Sequence, residues 1–239
     1  MASNLTPLPA KKPALLLFAK VPRPGQVKTR LAGKIGPDAA ALLHIAFVGD
    51  TLHLLRELPF TPYLFLAGSS PGANHFARQL TLPRRVRVET QHGRDLGERL
   101  SRAFGKLLKH HPAVVVLGSD SPTLPAAYIR QAFRELQVCH AVLGPCPDGG
   151  YYLIGLRRFF PTRLPPGLLG EIRWGTRHAF RDTQRNFLRE GLSCSKLEEW
   201  PDVDTGEDLL SLTRNLKRSP ALRRRAARTY RMLKKLGLR

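Results

Sequence analysis

Short apolar runs alternate along this chain with segments of helical periodicity. Six helices are predicted, near residues 37–58, 95–109, 125–136, 177–190, 206–216 and 220–235. This alternation is typical of βαβ units, so we expect an α/β fold on a largely parallel sheet. The predicted strands are Ala14–Ala19, Pro62–Ala67, Val86–Thr90, Ala113–Leu117, Ala141–Leu143, Tyr151–Leu156 and Ser193–Leu197.

The loop after the first strand contains Gly25, Lys28 and Arg30. In parallel α/β proteins, ligands bind at the carboxyl ends of the strands, and two cations there favour a ligand with phosphate groups. The loop is not a Walker A motif, because Val27 stands where that motif has glycine before the lysine. An ordinary basic turn remains the alternative interpretation.

Asp120 follows the most continuous buried strand, within GSDSP. A carboxylate at that position can hold a divalent cation at the mouth of the ligand crevice. It can equally serve only as a cap for the next helix.

The segment Asp148-Gly149-Gly150 has the composition of a turn, and adjacent glycines allow the backbone to approach a ligand closely. Tyr151 follows at the start of a strand, where its ring could stack on a base or sugar. The alternative is a plain hairpin with a core tyrosine. Cys146, in the same loop, is interpreted as a small buried filler rather than a nucleophile, since no histidine lies near it in sequence.

Asp202 and Asp204 are two residues apart, so in an extended segment their side chains are expected to point the same way. One of them, opposite Asp120, would complete an oxygen-ligand site suited to Mg²⁺ or Mn²⁺. Alternatively, these carboxylates only favour the N-terminus of the following helix, which Thr205 caps.

Gln91 begins a segment that joins a strand to a helix whose N-terminus carries the capping pair Asp95 and Glu98. On the ligand side of the sheet, Gln91 or the helix amides could bind a base or acceptor. The alternative is an ordinary capped helix.

The formal net charge is +21, and residues 217–239 contain ten lysines or arginines and no carboxylate side chain. A basic body suits an anionic ligand, and the tail predicts a basic helix able to contact anionic lipid or nucleic acid. Three dispersed cysteines favour a reducing, cytoplasmic location. We expect no transmembrane segment and no exported leader.

Six stretches in order, covering about residues 14–212, resemble one family of glycosyltransferase-A-like proteins. Some members are labelled arsenosugar-biosynthesis glycosyltransferases, and the family is related to phospholactate guanylyltransferase and to molybdenum-cofactor nucleotidyltransferases. The stretches are FAKVPRPGQVKTRL, QHGRDLGERL, GSDSPTLP, GPCPDGGYYLIGL, IRWGT and DVDTGEDL.

The resemblance implies a nucleotide-diphospho-sugar transferase (glycosyltransferase-A) fold, with a mixed, mostly parallel sheet flanked by helices. By motif position, phosphate binding falls on Gly25, Lys28 and Arg30, the metal ligand on Asp120, and a second acidic ligand on Asp202 or Asp204. The glycines at 149 and 150 match the acceptor-side loop. Residues 1–216 would form one catalytic domain, followed by the basic helix over 217–239.

The expected function is metal-dependent transfer from a nucleotide or nucleotide-sugar donor to a small-molecule acceptor. Lys28, Arg30 and Asp120 are the expected catalytic residues. Glycosyl transfer and nucleotidyl transfer, as in phospholactate guanylyltransferase, use the same residues and stay open. Two further alternatives are a basic protein that binds nucleic acid or membrane surfaces, and a degenerate fold member that acts as a regulator.

Overall fold

The computed structural model describes residues 11–80, 82, 85–159 and 164–238. The strands are β1 (Ala14–Lys20), β2 (Thr61–Ala67), β3 (Arg87–Thr90), β4 (Ala113–Leu117), β5 (Ala141–Pro145), β6 (Tyr151–Arg157) and β7 (Cys194–Lys196). The helices are α1 (Thr29–Ile35), α2 (Pro37–Arg56), α3 (Ser70–Gln79), α4 (Leu96–Leu107), α5 (Ala126–Val138), α6 (Ala179–Arg189), α7 (Gly206–Arg218), α8 (Pro220–Arg225) and α9 (Ala227–Lys235).

The seven strands form one mixed sheet in the order β3-β2-β1-β4-β6-β5-β7. All neighbouring pairs are parallel except those made by β6, which runs antiparallel to both β4 and β5. The predicted α/β class and the mixed, mostly parallel sheet are therefore confirmed.

Helices cover both faces of the sheet. In β1, Leu15 and Leu17 pack towards α2, α3 and α5, whereas Leu16 and Phe18 pack towards α4 and α6. Burial of both faces explains why the central strands are continuous apolar runs rather than alternating ones.

The helix α2 is long and apolar enough to cross a membrane by length and composition, with a mean hydropathy of 1.3. It packs instead within the fold, against β1, α1 and α9. It also buries two polar side chains, His44 and Asp50. These contacts identify α2 as a core helix of this fold.

The sequence analysis missed α1 and α3. The helix α1 starts after Lys28, whose backbone lies in the left-handed region (φ 49°, ψ 45°) and whose side chain caps nothing. The helix α3 has the capping residue Ser69, but its sequence contains Pro71 and Gly72, which lower helix propensity.

The helix predicted over residues 220–235 is divided in two at Ala226. Its apolar residues are not free for an external surface, because Ala226 and Leu233 are buried in a third cluster with α1, α2 and α7. Asp50 of α2 fixes α9 by accepting hydrogen bonds from the backbone amides of Arg228 (2.9 Å) and Thr229 (2.8 Å).

We expect Asp50→Ala to lower the free energy of unfolding by about 3 kcal/mol, because it leaves two amides at the α2–α9 contact without an acceptor. The matched control is Asp38→Ala, which removes an exposed carboxylate from the first turn of the same helix. It should cost at most about 1 kcal/mol. Urea denaturation measures both, and equal losses would contradict the anchoring role.

Candidate functional site

The site lies at the carboxyl ends of β1 and β4, around a cavity of about 540 Å³. The described residues that line it are Phe18, Ala19, Lys20, Val27, Lys28, Thr29, Arg30, His44, Ala67, Gln91, Leu96, Arg99, Gly118, Ser119, Asp120, Tyr151 and Asp204. Another cavity, of about 520 Å³, lies between α2 and α9 and is lined by no carboxylate among the described residues. Only the first combines cations with carboxylates.

Lys28 is the centre of this site. Its Nζ atom lies 2.5 Å from Asp120 Oδ1 and 2.7 Å from Asp204 Oδ1, and it donates a third hydrogen bond to the carbonyl of Val203 at 2.8 Å. The Lys28 side chain is 3% exposed, whereas those of Asp120 and Asp204 are 39% and 36% exposed. The three ammonium donors therefore have three acceptors, and both carboxylates keep an open side towards the cavity.

Burial and the neighbouring charges have opposite effects on the pKa values of Lys28 and Asp120. Burial lowers the pKa of Lys28, but the nearby carboxylates of Asp120 and Asp204 outweigh it, so the pKa is raised. Burial raises the pKa of Asp120, but Lys28 outweighs that effect and holds the pKa below its usual value. Lys28 and Asp120 are consequently both charged at neutral pH.

Of the predicted phosphate-binding residues, Lys28, Arg30 and Gln91 line the same cavity. Arg30 is exposed in the first turn of α1 and lines the cavity. Gly25 is exposed in the turn before Lys28, with φ of 76°. The side-chain amide nitrogen of Gln91 donates to the carbonyls of Ala19 (3.2 Å) and Phe65 (2.8 Å), which leaves its carbonyl oxygen for other contacts.

The predicted acceptor-side loop joins β5 to β6. Gly149 has φ of 85°, and a Cβ there would collide with the backbone of Arg177, so glycine is required. The Gly149 carbonyl accepts a hydrogen bond from the amide of Phe180 at 3.0 Å, which holds the loop against α6. Gly150 donates its amide to Asp148 Oδ1 at 2.8 Å.

Tyr151 lines the cavity, and its ring meets that of Trp174 edge-on at 6.1 Å. Tyr152 points the other way, into the core, and its hydroxyl donates to the carbonyl of Glu198 at 3.0 Å. Of the two neighbouring tyrosines, only Tyr151 can contact a ligand in the cavity.

Asp202 and Asp204 have different partners, although alternate spacing predicted a common direction. Asp204 contacts Lys28, whereas the Asp202 carboxylate lies within 4.8 Å of Cys146 Sγ and of the Asp148 carboxylate. Burial, together with the charges of Asp148, Asp204 and Asp120, raises the pKa of Asp202 to about 7. The capping box of Thr205 with Asp208 explains the difference, because the Asp208 carboxylate also binds the Asp204 amide at 3.1 Å.

The sequence analysis missed His44, which lines the cavity from α2. Its Nε2 atom lies 3.0 Å from the carbonyl of Lys20, and its Nδ1 atom is buried with no partner among the described residues. Burial lowers its pKa, against the opposing charge of Asp120, so the ring is neutral at pH 7. The sequence signal that could have identified His44 is its position, as a polar residue, on the apolar face of a predicted helix.

Comparison with known proteins places this arrangement in a family. The family model described as "Uncharacterized protein conserved in bacteria (DUF2064)" matches residues 51–176, more than half of the chain. The chain belongs to this family. It is also 35% identical to the crystal structure of a "putative nucleotide-diphospho-sugar transferase" from Desulfovibrio desulfuricans G20, over 94% of this chain and 96% of that one, with a TM-score of 0.82.

More distant structures share the fold of this DUF2064 member. A CMP:2-keto-3-deoxy-manno-octonic acid synthetase complexed with CTP is 11% identical, with a TM-score of 0.55, over 87% of this chain and 99% of that one. A manganese complex of Rv0371c from Mycobacterium tuberculosis H37Rv is 18% identical, with a TM-score of 0.52, over 87% and 100% of the two chains. The expected nucleotide-diphospho-sugar transferase fold is thus confirmed. The search of curated proteins found no match.

We expect the double variant Asp120→Asn/Asp204→Asn to lower the free energy of unfolding by about 3 kcal/mol at pH 7, because it leaves a buried ammonium without a counter-charge. Adding Lys28→Met should restore most of that loss, since the buried cation is then removed. Urea denaturation of the three proteins measures both effects.

The pH dependence of the free energy of unfolding provides a second test of the ion pairs that Lys28 makes with Asp120 and Asp204. In the native protein the raised pKa of Lys28 means that its stabilising contribution is complete below the unfolded value of about 10.4 and is lost as pH rises further. In the double variant, burial alone acts and lowers this pKa. The double variant should therefore gain stability as pH rises towards the unfolded value, whereas the native protein should not.

Proposed function

We propose that this DUF2064 protein is a metal-dependent transferase that takes a nucleotide-activated donor and a small-molecule acceptor. The observation that carries the proposal is the convergence of Asp120 and Asp204 on one cation, Lys28 Nζ, at the mouth of the ligand crevice. The 35% identity to the protein from Desulfovibrio desulfuricans supports the same reaction class.

The cavity has the charges that a phosphorylated donor needs. Besides Lys28, its lining includes the cationic side chains of Lys20, Arg30 and Arg99. Lys20, Arg30 and Arg99 can bind donor phosphates and stabilise the charge that develops on the leaving pyrophosphate or nucleoside diphosphate. Tyr151 offers a ring face for a base or sugar, and the loop at 148–150 would border the acceptor.

Asp120 and Asp204 fit a Mg²⁺ or Mn²⁺ ion. Their Oδ1 atoms already contact a common cationic atom, and both side chains are more than a third exposed towards the cavity. Carboxylate oxygens with room for water and phosphate oxygens are the ligands these ions prefer. The ion would neutralise phosphate charge, while Lys28 keeps the two carboxylates positioned.

The tail contributes no residue to the cavity among the described positions, because the last lining residue is Asp204. We propose that residues 1–216 form the catalytic domain and that the protein acts in the cytoplasm. Residues 217–239 would stabilise this domain by packing against α2 and α7. The exposed arginines of α8 and α9 leave an accessory contact with anionic surfaces available.

Calorimetric titration should detect binding of a nucleoside triphosphate or a nucleotide sugar only when Mg²⁺ or Mn²⁺ is present. The physical reason is the repulsion between donor phosphates and the carboxylates of the crevice. Equal affinity in a chelator would contradict metal dependence, and failure of every nucleotide to bind would contradict the proposed donor class.

Lys28→Met, Asp120→Asn and Asp204→Asn should each lower turnover at least ~10²-fold, the scale of a lost electrostatic stabiliser. Matched controls are Lys34→Met and Asp38→Asn, which remove exposed charges outside the cavity lining and should retain near-native rates. Near-native turnover in Asp120→Asn would contradict the metal assignment.

Glycosyl and nucleotidyl transfer differ in the bond that breaks. A nucleotidyl transferase cleaves a triphosphate at the α-phosphate and releases pyrophosphate, whereas a glycosyltransferase releases a nucleoside diphosphate. Several cations directed at phosphates favour nucleotidyl transfer on chemical grounds, and we expect pyrophosphate. Chromatographic separation of the phosphorylated products, with each donor class supplied, distinguishes the two reactions. Release of nucleoside diphosphate would overturn the preference for nucleotidyl transfer.

A further inference from the structure

Beside the Lys28 group lies a second cluster whose ligand types differ. One sulfur atom and two carboxylate oxygens, from Cys146, Asp148 and Asp202, lie within 4.8 Å of one another. Asp148 and Asp202 make no ion pair with the described residues, and Lys28 contacts the other two aspartates. The two carboxyl groups of this cluster therefore lie together without a cationic partner among the described residues, in a chain whose net charge is +21.

The thiol at the centre of this cluster is buried and unused. Cys146 is 4% exposed, and none of the hydrogen bonds among the described residues involves its Sγ atom. The Asp202 carboxylate accepts a hydrogen bond from its own backbone amide and from no other described residue. The Cys146 thiol and the Asp202 carboxylate thus lie together without a hydrogen bond from another described residue, beside a second carboxylate, that of Asp148.

Backbone hydrogen bonds fix the two segments that carry these groups. Within the β5–β6 turn, the Cys146 amide donates to the carbonyl of Gly150 at 3.0 Å. The amide of Trp200 donates to the carbonyl of Pro145 at 3.1 Å, and the amide of Val203 donates to that of Asp120 at 2.9 Å. These last two bonds flank Asp202 and hold it against the turn.

We propose that Cys146, Asp148 and Asp202 form a cation site, separate from the Asp120–Asp204 pair, that takes a divalent transition-metal ion of the Zn²⁺ class. Thiolate is a soft ligand that Mg²⁺ does not favour, whereas Zn²⁺ accepts sulfur and carboxylate together. Tetrahedral binding places ligand atoms about 3.5 Å apart, and the three atoms of this cluster already lie within 4.8 Å of one another. The ion displaces the thiol proton to solvent, because a coordinating thiol is deprotonated.

Co²⁺ is the probe, since a bound thiolate gives an intense near-ultraviolet charge-transfer absorption that oxygen ligands do not give. We expect this absorption to saturate with one equivalent of Co²⁺ added to the metal-free full-length protein, and Zn²⁺ to abolish it. Absence of the absorption from the native protein would overturn the proposal.

Variants locate the sulfur ligand. Cys146→Ala should eliminate the absorption, whereas Cys139→Ala and Cys194→Ala should keep it, because these cysteines are not part of the carboxylate cluster. Persistence of the absorption in Cys146→Ala would refute the site. Circular dichroism checks that Cys146→Ala is folded.

Asp202→Asn leaves the core cysteine in place and should independently weaken Co²⁺ binding at least ~10-fold, the scale of losing even an outer-shell partner of a metal ligand.

A final variant separates this site from the proposed reaction site. Asp120→Asn/Asp204→Asn removes the carboxylates assigned to the reaction metal and should leave the charge-transfer absorption intact. Loss of the absorption in this variant, with retained fold, would show one shared site and refute the separate one. The proposed transferase function would stand in either outcome, since nucleotide binding tests it.

Discussion

The ammonium group of Lys28 is the interaction on which the functional edge of the sheet depends. It joins three segments that are distant in sequence: the loop after β1, the end of β4 at Asp120, and the entrance to α7 at Asp204. The backbone at Lys28 is left-handed, and the side chain is only 3% exposed. Without this buried cation, the two carboxylates would repel each other across the crevice that they border.

The single antiparallel strand completes this edge. The carboxyl ends of the parallel strands bring together the residues that follow β1, β4 and β5. Because β6 runs in the opposite direction, its first residue, Tyr151, begins at the same edge, and Leu153 pairs with Leu117 at the end of β4. The β5–β6 turn therefore borders the crevice, and a fully parallel sheet would need a long crossover to bring those residues there.

The elements that sequence predicted best are those whose pattern reflects one dominant effect. Buried strands and amphipathic helices follow burial, and the cap Asp95 accepts the Glu98 amide at 2.8 Å as expected. The residues that determine the site follow other effects. Lys28 and Arg30 look equivalent in sequence, yet the Lys28 side chain is buried between Asp120 and Asp204 and Arg30 is exposed. The side chains of Asp202 and Asp204 have different partners because the backbone around them is fixed. The capping box of Thr205 with Asp208 and the hydrogen bond from the Val203 amide to the Asp120 carbonyl fix it.

Local charge opposes the global charge of this chain, and this opposition constrains its chemistry. The protein is strongly basic, but four aspartates act on one another at the crevice: Asp120, Asp148, Asp202 and Asp204. Lys28 offsets one unit of that charge, and a polyphosphate approaching the remainder meets repulsion from the carboxylates despite the cations at the rim. Added divalent cations reverse the balance, because each cancels two carboxylates at the point where phosphate oxygens would lie. This balance of charges is the reason we propose that a phosphorylated ligand enters this crevice together with a divalent cation.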